Sequence, residues 1–592
     1  MSQSPNPGDR LGDYSTDGRV LALSAAAIVI GPIAALVAWS LLWLIGVITN
    51  LAYFGRLSSA PVSPAANSLG GWSVAVPVVG GLVIGAMARW GSPKIRGHGI
   101  PEALEAILIG RSRLDAKVAI LKPVSSAISI GTGGPFGAEG PIIMTGGAFG
   151  SLFAQLFRLS SAERKTLLVA GAAAGMSAVF ASPIAATLLA VELLLFEWKP
   201  RSFIPVALAS AVASAARVPL LGAGPIFPIS AHAGLSPAGL LAALAVGVAA
   251  GFGSGLLTSL VYGCEDLFQK LPVHWAWWPA LGGLCVGVGG LLDGRVLGIG
   301  FATIHALLRG QVASGAAASL CVSKSLVWSL ALGSGTSGGV LAPLLMMGGA
   351  LGAVASAALP VGDAGLWATV GMAAMMGGTM RSPLAAMFFA AELTHDWNLL
   401  PGLLVACVGA YAVTVLLLRR SILTEKIARR GHHVFREYAV DPFQIHRVGE
   451  VMDHGVPTVP TSMSVGELSR RVAGADPNLA RRQGTPIVDA RGRLVGIVTR
   501  SDLMRALEKD PSGSTGVLDA GTRDPVVAYE DELLHAAVER MLSRDVGRLP
   551  IVSREDSTRL VGYLGRSGIV AARQRLLEDE NLRERGGRTV TS

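Results

Sequence analysis

The sequence predicts a polytopic α-helical membrane protein, built from two repeated halves with broken helices, followed by a soluble α/β part. Three observations predict it. The 592 residues are 51% hydrophobic and only 15% charged, include 75 glycines, and have a mean hydropathy of +0.53, which is membrane-protein composition. Apolar segments separated by short polar or Gly/Pro breaks continue to about Arg420, and polar composition takes over beyond it. A set of residues also recurs at a nearly constant offset of about 200 positions.

Taken in order, Arg10, Asp13 and Arg19 precede the first apolar run, Val20 to Leu51. It is longer than a signal-peptide core and has no clear small-residue cleavage pattern, so it reads as a tilted membrane helix with a retained N-terminal segment, 1–18. The membrane domain is expected over 19–431. Within it, segments such as 99–110 and 140–157 are too short or too interrupted to cross a core of ~30 Å cleanly. Broken helices at that depth belong where they line an enclosed path. The net charge of +9 does not require nucleic acid, because the basic clusters flank apolar segments and report topology. Lys94 and Arg96, Arg111, Arg113 and Lys117, Lys199 and Arg201, and Arg429, Arg430, His432, His433 and Arg436 are expected on the cytoplasmic side. Cys264, Cys285, Cys321 and Cys407 show no metal-like spacing and are expected to be buried free thiols.

The stretch Gly131 to Pro141 places one carboxylate, Glu139, inside a glycine-rich break between apolar segments. An ionisable residue at membrane depth costs several kcal/mol, so it reads as part of an ion or proton pathway. Gly137 and Gly140 let the backbone leave the helix, and Pro141 suits the first turn of a new one. A helix starting here aims free N–H groups and the positive end of its dipole into the break, which favours an anion. Glu139 would then occupy the anion's own position. Taken locally, the stretch also fits a glycine-rich loop carrying a solvated glutamate.

The repeat sharpens the assignment. Lys122 and Lys324, Gly131 and Gly333, Gly137 and Gly339, and Pro141 and Pro343 pair at an offset of 202, as does Gly-Gly-Ala at 146–148 and 348–350. Ser182, Pro183 and Glu192 recur as Ser382, Pro383 and Glu392 at an offset of 200. Repeated halves with interrupted helices at matching positions point to a transport site at their interface near the midplane. Hydropathy alone leaves open whether the halves are inverted.

Three ordered motifs, Gly97 to Glu102, Gly137 to Pro141 and Gly339 to Pro343, resemble the anion-binding motifs of the CLC chloride channel and transporter family. The resemblance covers the whole membrane domain. It implies two inverted repeats, helix N-termini converging on chloride, and a homodimer with a pore in each subunit. It makes Glu139 the gate, whose carboxylate competes with chloride and moves aside when protonated or displaced. It assigns anion binding to His98, Gly99, Ile100 and Pro101, to Gly137, Gly140 and Pro141, and to Gly339, Val340, Leu341, Ala342 and Pro343. Backbone N–H groups at Ile100, Gly140, Leu341 and Ala342 would hold the partly dehydrated ion through partial charges that still permit its exit.

The chain departs from the family pattern in four places. His98 stands where many members have serine, and Ala138 where arginine is frequent. His98 could donate an N–H to the anion or point to cytoplasmic water while the backbone does the binding. The inner tyrosine falls near Ile422, Leu423 and Thr424, so that hydroxyl is expected to be missing. Proton-coupled members usually carry a second glutamate where this chain has Leu193, which cannot relay a proton. Glu192 and Glu392 resemble shared structural acids near helix ends. The expected function is therefore a passive, gated chloride channel, with proton-coupled exchange through another route, such as Glu197 or water, as the alternative.

After a linker at 432–445, the chain becomes soluble and doubled. The first unit, 446–510, is expected to carry helix 465–473, strands 485–489 and 494–499, and helix 501–509. The second, 511–578, is expected to carry helix 532–543, strands 548–552 and 560–564, and helix 567–577, before a tail at 579–592. Pro-Ile-Val at 486–488 recurs at 550–552. These units resemble paired CBS domains, which implies an adenine nucleotide (ATP, ADP or AMP) in the cleft as a regulatory ligand. Thr499 and Asp502 match the ribose- and phosphate-contacting pattern; Gly565 and Gly568 take those positions in the second unit, so one site at most is expected. A folded pair without ligand is the other reading.

Magnesium transporters also carry CBS pairs, but a hard cation needs intramembrane carboxylates, and the breaks here offer Glu139 among backbone amides. No nucleophile, base and orienting group suggest an enzyme. No cofactor is expected to be required and no nucleic acid to be bound. The expected setting is the cell membrane, crossed several times in contact with bilayer lipid, with the N-terminus and CBS pair in the cytoplasm.

Overall fold

The computed structural model describes residues 18–431, apart from 109, 111, 158 and 360, and residues 447–570, apart from 475, 477, 478 and 480–482. Arg10, Asp13, Arg111, His432, His433 and Arg436, the 432–445 linker, positions 571–577 of the last expected helix and the 579–592 tail lie outside the described residues. The described residues fall into two compact units, one helical and one α/β.

In the helical unit, seven segments are long and apolar enough to cross a membrane among the described residues: Arg19–Phe54, Gly70–Trp90, Pro237–Gln269, Trp275–Leu292, Ser314–Gly333, Leu341–Ala358 and Trp397–Arg429. The first is a helix of 36 residues, about 54 Å long at 1.5 Å per residue, which requires tilt or overhang in a ~30 Å core. Between the long segments lie short helices, Ile100–Leu108, Pro183–Leu189, Phe301–Leu308 and Pro383–Thr394. The starts at 183 and 383 have N–H groups satisfied by glutamate side chains.

The repeat is visible as reciprocal bonding between equivalent residues. Gly137 and Gly339 exchange backbone hydrogen bonds in antiparallel fashion, at 2.8 Å from Gly339 N–H and 3.4 Å from Gly137 N–H. Glu392 accepts from the N–H groups of Ile184 and Ala185 at 3.0 and 2.8 Å, while Glu192 accepts from those of Leu384 and Ala385 at 3.3 and 2.9 Å. Each half therefore caps a helix N-terminus of the other, as the structural-acid reading of both glutamates expected.

The same bonding shows that the halves are inverted. Ile100–Leu108 lies at the end of the unit where Arg430 pairs with Glu102 at 2.9 Å and Lys426 pairs with Glu102 at 3.1 Å. Its repeat mate Phe301–Leu308 lies at the other end: His305 reaches the Pro228 carbonyl at 3.2 Å, and that loop is held to Asp396. Helix Leu400–Leu417 connects the two ends.

Packing follows from small residues, because lipid gives helices no hydrophobic reason to associate. A methyl group at Gly146 would lie 3.0 Å from the Gly171 carbonyl carbon, and one at Gly348 would lie 3.0 Å from that of Gly371. The helix pairs Glu139–Leu156 with Ser161–Phe180 and Leu341–Ala355 with Ala364–Met380 thus touch backbone to backbone in both halves.

One expectation is corrected. Only Cys407 is buried, whereas Cys264, Cys285 and Cys321 are half-buried. These three lie on long helices whose outer faces expose Leu256, Leu284 and Val322, so their apolar surroundings include the face turned to lipid.

The α/β unit contains two similar layers. Val459–Pro460, Gly484–Val488, Leu494–Thr499 and Thr522–Arg523 form one sheet; Ala528–Tyr529, Arg548–Val552 and Leu560–Gly565 form the other. In each, the first strand runs parallel to the second and the second antiparallel to the third. Helices Val465–Ala473, Arg500–Lys509 and Leu534–Ser543 cover them. The short strands at 459–460, 522–523 and 528–529 were not expected, since two residues carry no alternation.

Replacing Glu392 by leucine leaves two N–H groups uncapped in an apolar setting and should cost about 1–2 kcal/mol. Thermal unfolding in detergent should show a lower midpoint for Glu392→Leu and for Glu192→Leu, with Glu→Gln intermediate at both positions.

Candidate anion-binding site

Three helix N-termini meet where the halves touch. Helix Glu139–Leu156 begins after Ala138 with Pro141 in its first turn, and helix Leu341–Ala355 begins after Val340 with Pro343 in the matching place. The third, Ile100–Leu108, follows Gly97 and Gly99, whose φ angles of 76° and 88° are open to glycine at little cost. A methyl group at Gly99 would lie 3.0 Å from the Gly140 carbonyl oxygen, and one at Gly140 would lie 3.2 Å from Gly339 Cα. The three glycine-bearing stretches therefore meet through backbone alone, and every expected anion-contacting residue from His98 to Pro101, Gly137 to Pro141 and Gly339 to Pro343 lies in them.

Glu139 is fully buried, at 0% exposure, which removes the solvated-loop reading. Its Oε1 accepts hydrogen bonds from the N–H groups of Leu341 and Ala342, the latter at 3.3 Å. Its Oε2 has no hydrogen-bond donor among the described residues. The carboxylate is thus seated on free N–H groups at a helix N-terminus, where about half a positive charge is available to an anion. A chloride bound there would need the same donors.

Sequence reasoning treated Lys122 and Lys324 only as markers of the repeat. Both are fully buried. Lys122 Nζ donates to the carbonyls of Ile95 and Gly97 at 2.8 and 2.6 Å; Lys324 Nζ donates to those of Val296 and Gly298 at 2.8 and 3.3 Å. Each lysine fixes the loop before a short helix. Ser337 was missed too: it bonds Ser126 at 2.8 Å and Ser125 at 3.1 Å, just ahead of Gly339. The available signal was polar residues at matching or facing positions inside apolar helices.

His98 is 3% exposed, and its Nδ1 has no hydrogen-bond partner among the described residues. Gly97 and Gly99 hold the ring among buried groups. It lines a cavity of 390 Å³ together with Arg96, Tyr262, Lys426, Arg429 and Arg430. Ile422, Leu423 and Thr424 are buried nearby, with the Thr424 hydroxyl engaged in a capping box with Ser421. A different phenol reaches that turn, since Tyr262 O–H donates to the Ile422 carbonyl; being on another helix, it gave no signal in the local alignment.

Leu193, at the position expected to lack a proton relay, is fully buried within a π-helical turn, Ala190–Leu195, that has no counterpart in Pro383–Thr394. Glu197 accepts from Ser202 at 2.6 Å and lies 4.0 and 3.8 Å from the ammonium groups of Lys165 and Lys199.

In the α/β unit, Thr499 and Asp502 form a capping box at the start of Arg500–Lys509. Asp502 Oδ2 accepts from the Thr499 hydroxyl at 2.6 Å and N–H at 3.0 Å, and Oδ1 lies 3.3 Å from Arg505. The pattern read as a nucleotide contact thus already has a structural use. In the strand pairing, Gly484 faces Thr499 and Arg548 faces Gly565, which confirms glycine at the equivalent position of the second unit.

Inverted halves whose helix ends converge on one buried carboxylate, followed by a doubled α/β unit, define a class of multi-pass membrane transport protein. The chain belongs to the voltage gated chloride channel family, whose model matches residues 80–415, and the CBS domain model matches residues 448–509 and 517–575. It is 31% identical over 338 residues to the H(+)/Cl(-) exchange transporter ClcA of Citrobacter koseri, an alignment covering 55% of this chain and 71% of that protein. It is 30% identical over 388 residues to the voltage-gated ClC-type chloride channel ClcB of the same species, covering 63% and 92%. Among solved structures, a slow cyanobacterial Cl-/H+ antiporter aligns with a TM-score of 0.62 at 22% identity, over 70% of this chain and 99% of that one. A eukaryotic CLC transporter aligns at 0.59 and 18%, over 93% and 98%; both likenesses concern the fold.

A methyl group at Gly137 would lie 2.5 Å from the Glu139 carboxylate carbon. Gly137→Ala should push the carboxylate off the Leu341 and Ala342 amides. Losing one such charged hydrogen bond is worth roughly 1.5–3 kcal/mol, so chloride efflux from liposomes at neutral pH should rise by roughly tenfold or more.

Proposed function

We propose that this chain is a passive, gated chloride channel of the cell membrane, with Glu139 as its gate. The observation that carries the proposal is the Glu139 carboxylate on the Leu341 and Ala342 amides. In that seat it mimics a bound anion and blocks the path; protonation or displacement by chloride empties it. Chloride is held by the backbone at His98 to Pro101, Gly137 to Pro141 and Gly339 to Pro343, with the His98 ring as an additional donor. Partial charges and single N–H donors bind the ion weakly enough for it to leave. The protein works as a homodimer with a path in each subunit, and its N-terminus and CBS pair are cytoplasmic.

Two features support passive conduction over exchange. Leu193 is fully buried where a proton-accepting side chain would be required, and Glu192 is committed to the amides of Leu384 and Ala385. Glu197 is tied to Lys165, Lys199 and Ser202, which favours a fixed carboxylate over a shuttling one. The likeness to an exchange transporter at 31% identity favours the second reading, proton-coupled exchange through a water path. We also assign the cleft at Thr499 and Asp502 to an adenine nucleotide that regulates the channel; no cofactor takes part in conduction.

Three measurements test these assignments. Chloride efflux from liposomes, recorded with internal pH, should proceed without uphill proton movement; chloride-dependent proton pumping against a gradient would establish exchange instead. Flux through the wild-type protein should rise on acidification, whereas Glu139→Gln should give acid-like flux at every pH. An unchanged pH profile in that variant would place the gate elsewhere. Calorimetry with ATP, ADP and AMP should detect a single site, lost in Asp502→Ala and kept in Thr499→Ser, which preserves the helix cap. Absence of heat with all three nucleotides would leave the CBS pair a structural module.

A further inference from the structure

The connector between the halves, residues 222–236, is tied to the second half at several points, one of them a histidine. Phe227 N–H donates to the Leu393 carbonyl at 2.9 Å, and its ring meets Phe301 edge to face at 5.5 Å. Asn398 donates to the His232 carbonyl at 2.9 Å. The His232 ring lies between two carboxylates: Nδ1 is 2.6 Å from Asp396 Oδ2, and Nε2 is 3.4 Å from Asp363 Oδ1. The two differ in setting, Asp396 having 0% side-chain exposure and Asp363 71%. Asp396 Oδ2 also accepts the His232 N–H at 3.1 Å, and Oδ1 has no donor among the described residues. The other charged or titratable groups at this site are Arg309, across a cavity of 560 Å³ that His232 and Asp363 also line, His305 at the Pro228 carbonyl, and His395 beside Asp396.

We propose that His232 is a proton-operated clasp between this connector and the second half. With both ring nitrogens protonated, Nδ1–H donates to Asp396 and the imidazolium forms an ion pair with Asp363, so that the cation sits between two anions. When a proton leaves through the cavity to solvent, the one that remains stays on Nδ1, because the buried Asp396 has the greater need of it. The neutral ring then has no charge to pair with the Asp363 carboxylate, and that side of the clasp releases. Asp363 also caps helix Ala364–Met380, accepting from Leu366 N–H at 2.8 Å. That helix packs on Leu341–Ala355, whose first N–H groups hold Glu139. The clasp thus acts at the first turn of a helix packed against the one that seats Glu139.

Amide hydrogen exchange of the full-length protein in detergent, compared on either side of the range of about pH 5 to 8 in which histidine changes charge, tests this. After correction for the intrinsic pH dependence of exchange, amides at 363–367 should exchange about two- to five-fold faster on the alkaline side, the range an exposed ion pair supplies. His232→Gln should abolish the difference. Asp363→Asn, which keeps a capping oxygen and the Asp396 contact, should abolish it as well, so the test does not depend on one variant folding. The same pH difference in both variants, or none in the wild type, would overturn the clasp.

Discussion

A carboxylate from one half of the membrane unit rests on the helix N-terminus of the other, and much of the architecture serves that contact. For Glu139 Oε1 to reach the amides of Leu341 and Ala342, the two helices must start within a few ångströms of each other. That closeness is possible because Gly137, Gly140 and Gly339 present no side chain where the chains meet. Free N–H groups at a helix start need a partner in a dry interior, and the anion-like group already present supplies one. A mobile anion can replace it only by offering the same charge to the same donors. In the gating proposed for Glu139, structure and gating therefore draw on one set of hydrogen bonds.

Four more charges are buried or half-buried elsewhere in the unit with backbone partners. Lys122 and Lys324 hold loop carbonyls, and Glu192 and Glu392 hold helix amides across the pseudo-twofold axis. Backbone dipoles thus compensate ions that would otherwise cost several kcal/mol in low dielectric. These lysines and glutamates are engaged with other backbone groups, and the Leu341 and Ala342 N–H groups at the candidate site are left to Glu139. The halves are equivalent in these supports and unequal at the site, where Glu139 has Leu341 as its repeat mate and His98 has Ile299. One half supplies the carboxylate and the other the cradle.

In the α/β unit, the Thr499 and Asp502 pair shows how a binding pattern and a folding pattern can coincide. A threonine and an acid three residues later cap a helix regardless of ligand, and Asp502 does so. Ligand recognition would have to use lone pairs beyond that cap, with Asp502 Oδ1 also near Arg505. The glycine at 565 removes both the cap and the side-chain contact from the second unit.

The sequence by itself determined the membrane class, the repeat, the three converging motifs and most strands and helices of the α/β unit. These depend on composition, period and local spacing, all of which one chain displays: Gly137 and Gly339 are visible as partners from their offset alone. It also marked Glu139 as the unusual carboxylate, because a charge among apolar residues is conspicuous without coordinates. Tertiary structure alone decided which groups those residues meet. That Tyr262 reaches Ile422, that the buried lysines hold loops and that His232 lies between Asp363 and Asp396 are contacts between residues up to 164 positions apart. Hydropathy carries the sign of each residue's preference for water or lipid, but hydrogen bonds are directional and short. Their partners are chosen only when inversion of the second half brings opposite ends of the chain to the same face.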